Sequence, residues 1–403
     1  MRRVAALILS TALVAQPAPR TDRTTKALKG VGELGKYGLP ATALILSLIH
    51  GSKEDTAAFM WSFGTTAILT EAIKRGAPKQ RPDFSDTDGF PSGHTAAAFS
   101  GALFIQDREG WAWGGPALGI AALTAYGRVR NGEHGWDDVM GGFGIALVDH
   151  FALASSQPGR RLWIAPWTDE GATGVQMGLQ AGGGSPSGAG RFELWMSDPQ
   201  LERRNPSPLF ATDPERAPTA SMRLMLHDER GDWTFQAAPQ TTQSYRTLAA
   251  PQPFAGGALP AGINLASQTA LLDLRGAYTW RLGNAEEGGS LGAGAGLGYG
   301  SHEESFALPD RPWTRRQSQA LLPILRGACA WDPAPWVEAR LSIEAGSLSR
   351  NRMKEAAAEV EFRFSHGFGL EAAWRNTEWT FRNDAAAESL LNRGLSLGVV
   401  VAW

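Results

Sequence analysis

The stretch KRGAPKQRPDFSDTDGFPSGH, residues 74–94, together with GRVRNGEHGWDD, residues 127–138, decides how the first part of the chain is read. Three clusters stand there in a fixed order: Lys74 with Arg81-Pro82, then Pro91-Ser92-Gly93-His94, then Arg128 with His134 and Asp138. Together they hold three permanent cations, two imidazoles, a hydroxyl, a flexible glycine and one carboxylate. A phosphoryl group carries charge on its non-bridging oxygens; Arg offers a planar fork of donors to them and Lys a point charge. One imidazole can attack phosphorus while a second protonates the departing alkoxide. Asp138 follows His134 by four residues, so on a helix the two share a face and the carboxylate can fix the tautomer and orientation of the ring. His and Asp also serve metals, but no paired ligand spacing such as His-Glu-x-x-His occurs, and a metal site is rejected.

The pattern Lys74-x6-Arg81-Pro82, Pro91-Ser92-Gly93-His94 and Gly127-Arg128-x5-His134-x3-Asp138 resembles the type 2 phosphatidic acid phosphatase and vanadium haloperoxidase superfamily. The resemblance covers roughly residues 30–155 and departs at Gly127, where the family usually has Ser. It implies that His134 is a nucleophile forming a phosphohistidine, that Asp138 orients it, and that His94 protonates the leaving group and later deprotonates water. It further implies that Lys74, Arg81, Ser92, Gly93 and Arg128 hold the phosphoryl oxygens, with no cofactor and no metal. Vanadate enters as an inhibitor or, should the chain be a haloperoxidase, as the cofactor. Lipid phosphates, pyrophosphates and soluble phosphomonoesters present the same headgroup and are not told apart here.

Upstream, residues 1–15 combine a cationic start with a short apolar core and read as a signal peptide cleaved after Ala15. Residues 16–35 read as a loose leader. Residues 36–156 read as a helical domain, with helices expected at about 38–50, 56–74, 94–106, 115–130 and 135–154. The helix opening at Ser92-Gly93-His94 would point its first amides at an anion. None of these segments has about 20 uncharged, strongly apolar residues in a row, so they read as core helices and not as spans. Phe59, Met60, Trp61 and Phe63 are taken as core packing, while Trp111 and Trp113 could reach a headgroup layer.

Downstream, residues 157–171, with Pro158, Pro166 and Gly171, read as a linker, and after it the period changes from 3.6 to 2. Apolar residues alternate at Val175, Met177, Leu179; at Leu291, Ala293, Ala295, Leu297; and at Val337, Ala339, Leu341, Ile343, with charged or polar residues or glycine between them. Aromatics near strand ends, Tyr278, Trp280, Trp331, Trp336, Trp374 and Trp379, suit interfacial girdles. Some turns are short (Ser365-His366-Gly367), while 198–217 and 240–267 read as long polar connections. The chain stops on Leu395, Leu397, Val399, Val401 and Trp403, an apolar face that resembles the assembly signal of bacterial outer-membrane barrels.

The expected fold class is therefore multidomain α and β. An N-terminal all-α phosphatase-type bundle precedes a C-terminal antiparallel transmembrane β-barrel at 172–403; about eleven strand candidates point to ten or twelve strands. A barrel must cross the inner membrane whole, which puts the helical domain in the periplasm, with the outer membrane and the barrel-assembly machinery as partners. A rival reading makes the barrel a pore or adhesin and the helical domain a degenerate plug. Across 403 residues the net charge is −2, so the global balance does not suggest a nucleic-acid partner, and the single Cys329 precludes an intrachain disulfide.

Overall fold

A computed structural model describes residues 23–402 save residue 84, the 155–159 stretch and, among the strands, 170–171, 182–189, 198–201, 205–218, 229, 255–256, 283–288, 309–310, 335, 364–367 and 383–386. The chain divides between Pro158 and Gly159 into a helical and a β unit. The expected signal peptide, the turn at Ser365-His366-Gly367, Trp403 and most of 198–217 lie outside the described residues.

The helical unit contains α1 (Arg23–Glu33), a five-residue π-turn (Leu34–Gly38), α2 (Leu39–Ile49), α3 (Lys53–Gly76), α4 (Gly93–Glu109), α5 (Trp111–Arg130), α6 (Trp136–Asp149) and a second π-turn (His150–Ala154). The leader is thus partly ordered: α1 runs straight into the π-turn, and its Leu28 backbone lies against Gly127 on α5, where a Cβ would come within 3.2 Å of it. Helix α3 begins earlier than expected because Ser52 caps it: the Asp55 amide donates to Ser52 Oγ at 3.1 Å and the Ser52 amide to Asp55 Oδ2 at 3.0 Å. Helix α5 also starts early. Gly114 lies against the Gln106 backbone with no room for a side chain, so Gly114-Gly115-Pro116 belongs to its first turns and does not break it.

Helix α4 is the axis of the bundle, in contact with α2, α3, α5 and α6. Its residues Ala96, Ala98, Ala102, Phe104 and Ile105 are buried, and Phe104 packs on Phe59 of α3 with ring centroids 4.9 Å apart. Gly101 touches the backbone at Leu39 and Pro40, which lets α2 approach closely. The reading of residues 59–63 as core needs correction: Phe59 is buried, but Met60 and Trp61 are 51% and 73% exposed. They follow Phe59 by one and two positions, which on a helix turns them away from its face. No described helix is long and apolar enough to cross a membrane.

In the β unit the strands are β1 (Arg160–Asp169), β2 (Ala172–Ala181), β3 (Gly190–Ser197), β4 (Glu202–Arg204), β5 (Thr219–His227), β6 (Gly231–Thr247), β7 (Gln252–Phe254), β8 (Gly257–Leu259), β9 (Asn264–Arg281), β10 (Gly289–Leu308), β11 (Arg311–Ala334), β12 (Val337–Leu348), β13 (Asn351–Arg363), β14 (Phe368–Arg382) and β15 (Ala387–Ala402). Twelve of them form an antiparallel ring in the order β1-β2-β3-β5-β6-β9-β10-β11-β12-β13-β14-β15, closed by β15 pairing with β1. The short β4 adds to β15, and β7 and β8 form a separate hairpin. The twelve-stranded alternative is the one adopted.

Two expectations about boundaries fail. The stretch 157–171 is not a linker throughout, because β1 occupies Arg160–Asp169. Pro166 suggests a break in the sequence, yet only the β15 side of the ladder skips residues 165 and 166, while on the β2 side they stay paired opposite Gln176 and Val175. The polar run 240–267 is likewise largely strand, since β6 and β9 remain paired out to Thr247 opposite Asn264.

The two faces of the ring differ as the alternation requires. Leu291, Leu297, Leu321, Leu325, Leu341 and Ile343 are exposed on the outside. Trp233, Trp280, Trp331 and Trp336 are 44–60% exposed near the rim where β1 enters and β15 ends. Trp379 is not part of a girdle: it is 1% exposed, stacks on Phe381 and clusters with Leu322, Ile324 and Met353 inside. Gly300 faces it, and a Cβ there would come within 2.6 Å of the indole. Beyond this apolar layer lies a buried ionic one. Arg275 donates to Asp273, Glu344 and Glu355 at 3.0, 2.7 and 2.5 Å. Arg223 of β5 donates to Glu359 of β13 at 2.8 Å, although the two strands are six apart in either direction around the ring.

Candidate active site

The three clusters meet at one end of the helical unit, where α3 and α5 finish and α4 and α6 begin. Lys74 sits in the last turn of α3, and its Nζ is 3.8 Å from where a Cβ on Gly93 would stand. Burial lowers the Lys74 pKa, with Asp88 opposing. Arg81 lies on the loop between α3 and α4 with its Nε 2.7 Å from Asp86 Oδ1. Ser92 is the fully buried N-cap of α4; its amide donates to the Asp138 carbonyl at 2.9 Å and its Oγ accepts from Thr95 Oγ1 at 3.0 Å. Arg128, buried at the end of α5, pairs with Glu133.

His134 is 1% exposed, and its Nδ1 lies 2.7 Å from the Gly89 carbonyl oxygen. A carbonyl only accepts, so Nδ1 carries the proton and Nε2 is left with its lone pair. Burial first, then the Arg128 and Arg81 cations, push the His134 pKa well below the usual imidazole range, which keeps the ring neutral. His94, in the first turn of α4, sets its Nε2 3.1 Å from Glu33 Oε1 of α1. Burial and then Arg128 lower the His94 pKa to about 4, and the Glu33 carboxylate works against both.

Asp138 does not hold the imidazole as its spacing suggested. Its Oδ2 is 3.8 Å from His134 Nδ1 and instead accepts from the Gly135 amide at 2.6 Å, which caps α6. Its Oδ1 accepts from Lys79 Nζ at 2.7 Å, and Lys79 also pairs with Asp137. All three groups are buried. The Lys79 carbonyl in turn accepts from the Gly89 amide at 2.7 Å, so the lysine that pairs the two aspartates also pins the residue that orients His134. The i to i+4 geometry is real, but the cap at Gly135 competes for the carboxylate and the Gly89 carbonyl takes its place on the ring.

Four contributors lie outside the sequence motifs: Gly89, Lys79, Glu33 and Glu133. Gly89 acts through its backbone and leaves no side-chain signal. Lys79 stands among the spacer residues between Lys74 and Arg81, although the adjacent acids Asp137-Asp138 at a helix start could have suggested a cation for them. Among the described residues no group of three or more His, Cys, Asp or Glu is placed to hold a metal ion.

Residues 55–161 match the PAP2 superfamily, and this stretch of the chain is a PAP2 superfamily domain. The chain is 37% identical over 75 residues to lipid A 4'-phosphatase of Helicobacter pylori (strain J99), a match that covers 18% of this chain and 38% of that protein. The chain thus spans less than two fifths of that curated relative. Among solved structures it is similar to LpxE of Aquifex aeolicus, with 22% identity, 33% of this chain and 86% of that one covered, and a TM-score of 0.30. It is also similar to the translocator domain of the autotransporter NalP from Neisseria meningitidis, with 12% identity, coverage of 62% and 91%, and a TM-score of 0.37.

Proposed function

We propose that this chain is a phosphatase that hydrolyses a phosphomonoester, on a lipid phosphate or pyrophosphate, through a phosphohistidine at His134. What supports the reading is one arrangement: a neutral, buried imidazole with its Nδ1 proton fixed on Gly89 and its other nitrogen free, under the electrostatic influence of Arg128, Arg81 and Lys74. Lys74, Arg81 and Arg128, with the Ser92 hydroxyl and the Gly93 amide at the start of α4, hold the phosphoryl oxygens. His134 Nε2 attacks phosphorus, the bond to the leaving oxygen breaks, and His94 gives that oxygen its proton. Water then attacks phosphorus while His94 takes a proton from it, the phosphorus–nitrogen bond breaks, and phosphate leaves with His134 restored. A bound phosphoryl dianion raises the pKa of His94 and so favours the protonated form that the first step needs.

The donors are all side chains and amides, so these steps use neither metal nor cofactor. The barrel sits in the outer membrane after delivery to the barrel-assembly machinery. That β1 enters and β15 ends at the same rim is in keeping with a helical unit on the periplasmic side, which is part of this reading. A phosphatase held there meets lipid headgroups at high effective concentration, which favours a lipid over a small soluble ester.

The test is phosphate release by purified full-length protein from lipid A, phosphatidate, isoprenyl pyrophosphate and a soluble aryl phosphate. Turnover of a lipid phosphate that survives EDTA and is inhibited by vanadate is expected. Activity that dies on chelation and returns with zinc or magnesium would overturn the mechanism, and bromide oxidation dependent on vanadate and peroxide would replace it with the haloperoxidase reading.

A further inference from the structure

Along the rod formed by α1, the π-turn and α2, Leu34, Tyr37, Ile45 and Leu48 are 57%, 61%, 54% and 65% exposed. Their separations of three, eight and three residues keep them on one side of the rod, with exposed Ala41 in the gap. The neighbouring α3, joined to α2 through Gly51-Ser52, exposes Trp61 and Ile68 at 73% and 70%, seven residues apart and hence also on one face. Both helices contact α4 and each other. Two helices laid side by side on a third present their outer faces in the same general direction, so the two stripes look out from the same side of the helical unit. Exposed apolar faces of this kind mark a partner.

The β unit identifies that partner. Five residues, 155–159, separate the second π-turn from β1 of a transmembrane barrel, a tether of at most about 20 Å from a membrane-spanning strand. No described helix can cross a membrane, which leaves lying on the surface as the mode of contact. The stripes include Tyr37 and Trp61, the ring types that settle at headgroup depth. We propose that the outer faces of α2 and α3, with the π-turn between α1 and α2, form a docking surface for the lipid bilayer and seat the helical unit in the headgroup layer.

The test uses full-length protein with Cys329→Ser and a single new cysteine, Ile45→Cys, Ile68→Cys or Lys29→Cys, labelled with an environment-sensitive fluorophore. Each is reconstituted in phosphatidylethanolamine and phosphatidylglycerol vesicles with and without doxyl-labelled lipid, after its barrel has been shown to shift on gels with boiling. Labels at positions 45 and 68 are expected to emit to the blue and to be quenched by the doxyl lipid several-fold more than the label at position 29. Equal quenching at all three, or none at 45 and 68, overturns the proposal. Blue emission at 45 and 68 that doxyl lipid does not quench also overturns it and assigns the surface to a protein neighbour, a second copy or residues 1–22.

Discussion

At the scale of single residues, the nucleophile assignment makes a sharp demand. His134→Ala should lower kcat/KM by about three orders of magnitude or more, since no other group can form the covalent intermediate; residual turnover above about a tenth would sink it. Asp138→Asn should be milder, because the Gly89 carbonyl still fixes the ring while Lys79 keeps Asp137. Removing the cation in Lys79→Met should be worse for folding than for chemistry. Two buried carboxylates would be stranded, at a cost of about 3–5 kcal/mol, readable as a lower denaturation midpoint. Glu33→Gln separates tuning from structure. The groups around His94 are Glu33 on α1, Lys36 on the π-turn and Arg128 on α5; only Glu33 raises its pKa. Without that charge the protonated acid is lost at lower pH, so the alkaline limb of the kcat profile should move down while KM holds. An unmoved limb would remove Glu33 from catalysis. The motif residues were legible because their types and order are distinctive. The carbonyl of Gly89 was not, since every residue carries one, and neither was Glu33, which lies outside the quoted motifs.

At the scale of elements, α6 carries a burden its sequence does not show. Asp149 at its end is buried, and burial raises its pKa to about 6 while Thr66 Oγ1 donates to it at 2.8 Å. A folded pKa above the ordinary value of 3.8 means that its stabilising contribution is complete below that value and lost as pH rises through about 6. Asp149→Asn keeps an acceptor for Thr66 and should therefore stabilise the helical unit at pH 7.5 by about 1–3 kcal/mol with little change at pH 4. Denaturant titrations at the two pH values, followed by loss of activity, check this, and equal shifts at both would refute it. Elements with one clear period were legible, as with β10 and its glycines facing inward. Those whose ends depend on a cap or on a partner were not. Ser52 starts α3 three residues ahead of the apolar pattern, and β6 and β9 keep pairing through polar side chains because a ladder asks only for backbone.

At the scale of the whole molecule, ring closure was legible from the even rhythm and the apolar final strand, but the filling of the barrel was not. Which inward residues meet depends on strands far apart in the chain: Arg223 and Glu359 are 136 positions apart and bond across the ring. Unboiled protein should migrate apart from boiled protein, and soluble recovery of the full chain would contradict a membrane barrel. Gly300→Leu should impair that assembly, because the added side chain would meet Trp379, whereas Gly119→Leu, on a helix with open space around it, should not. Gel shifts of the two variants side by side decide it. The ion pair bridging opposite walls has a further consequence for the cell that carries it. A ring of this size with an empty centre would let small solutes through, and every copy of the protein would then add to the leak of the envelope. With arginines and carboxylates joined across the middle and Trp379 packed beside them, the protein should insert into planar bilayers without a measurable current, and cells making it in quantity should remain as resistant to small hydrophilic antibiotics as cells without it.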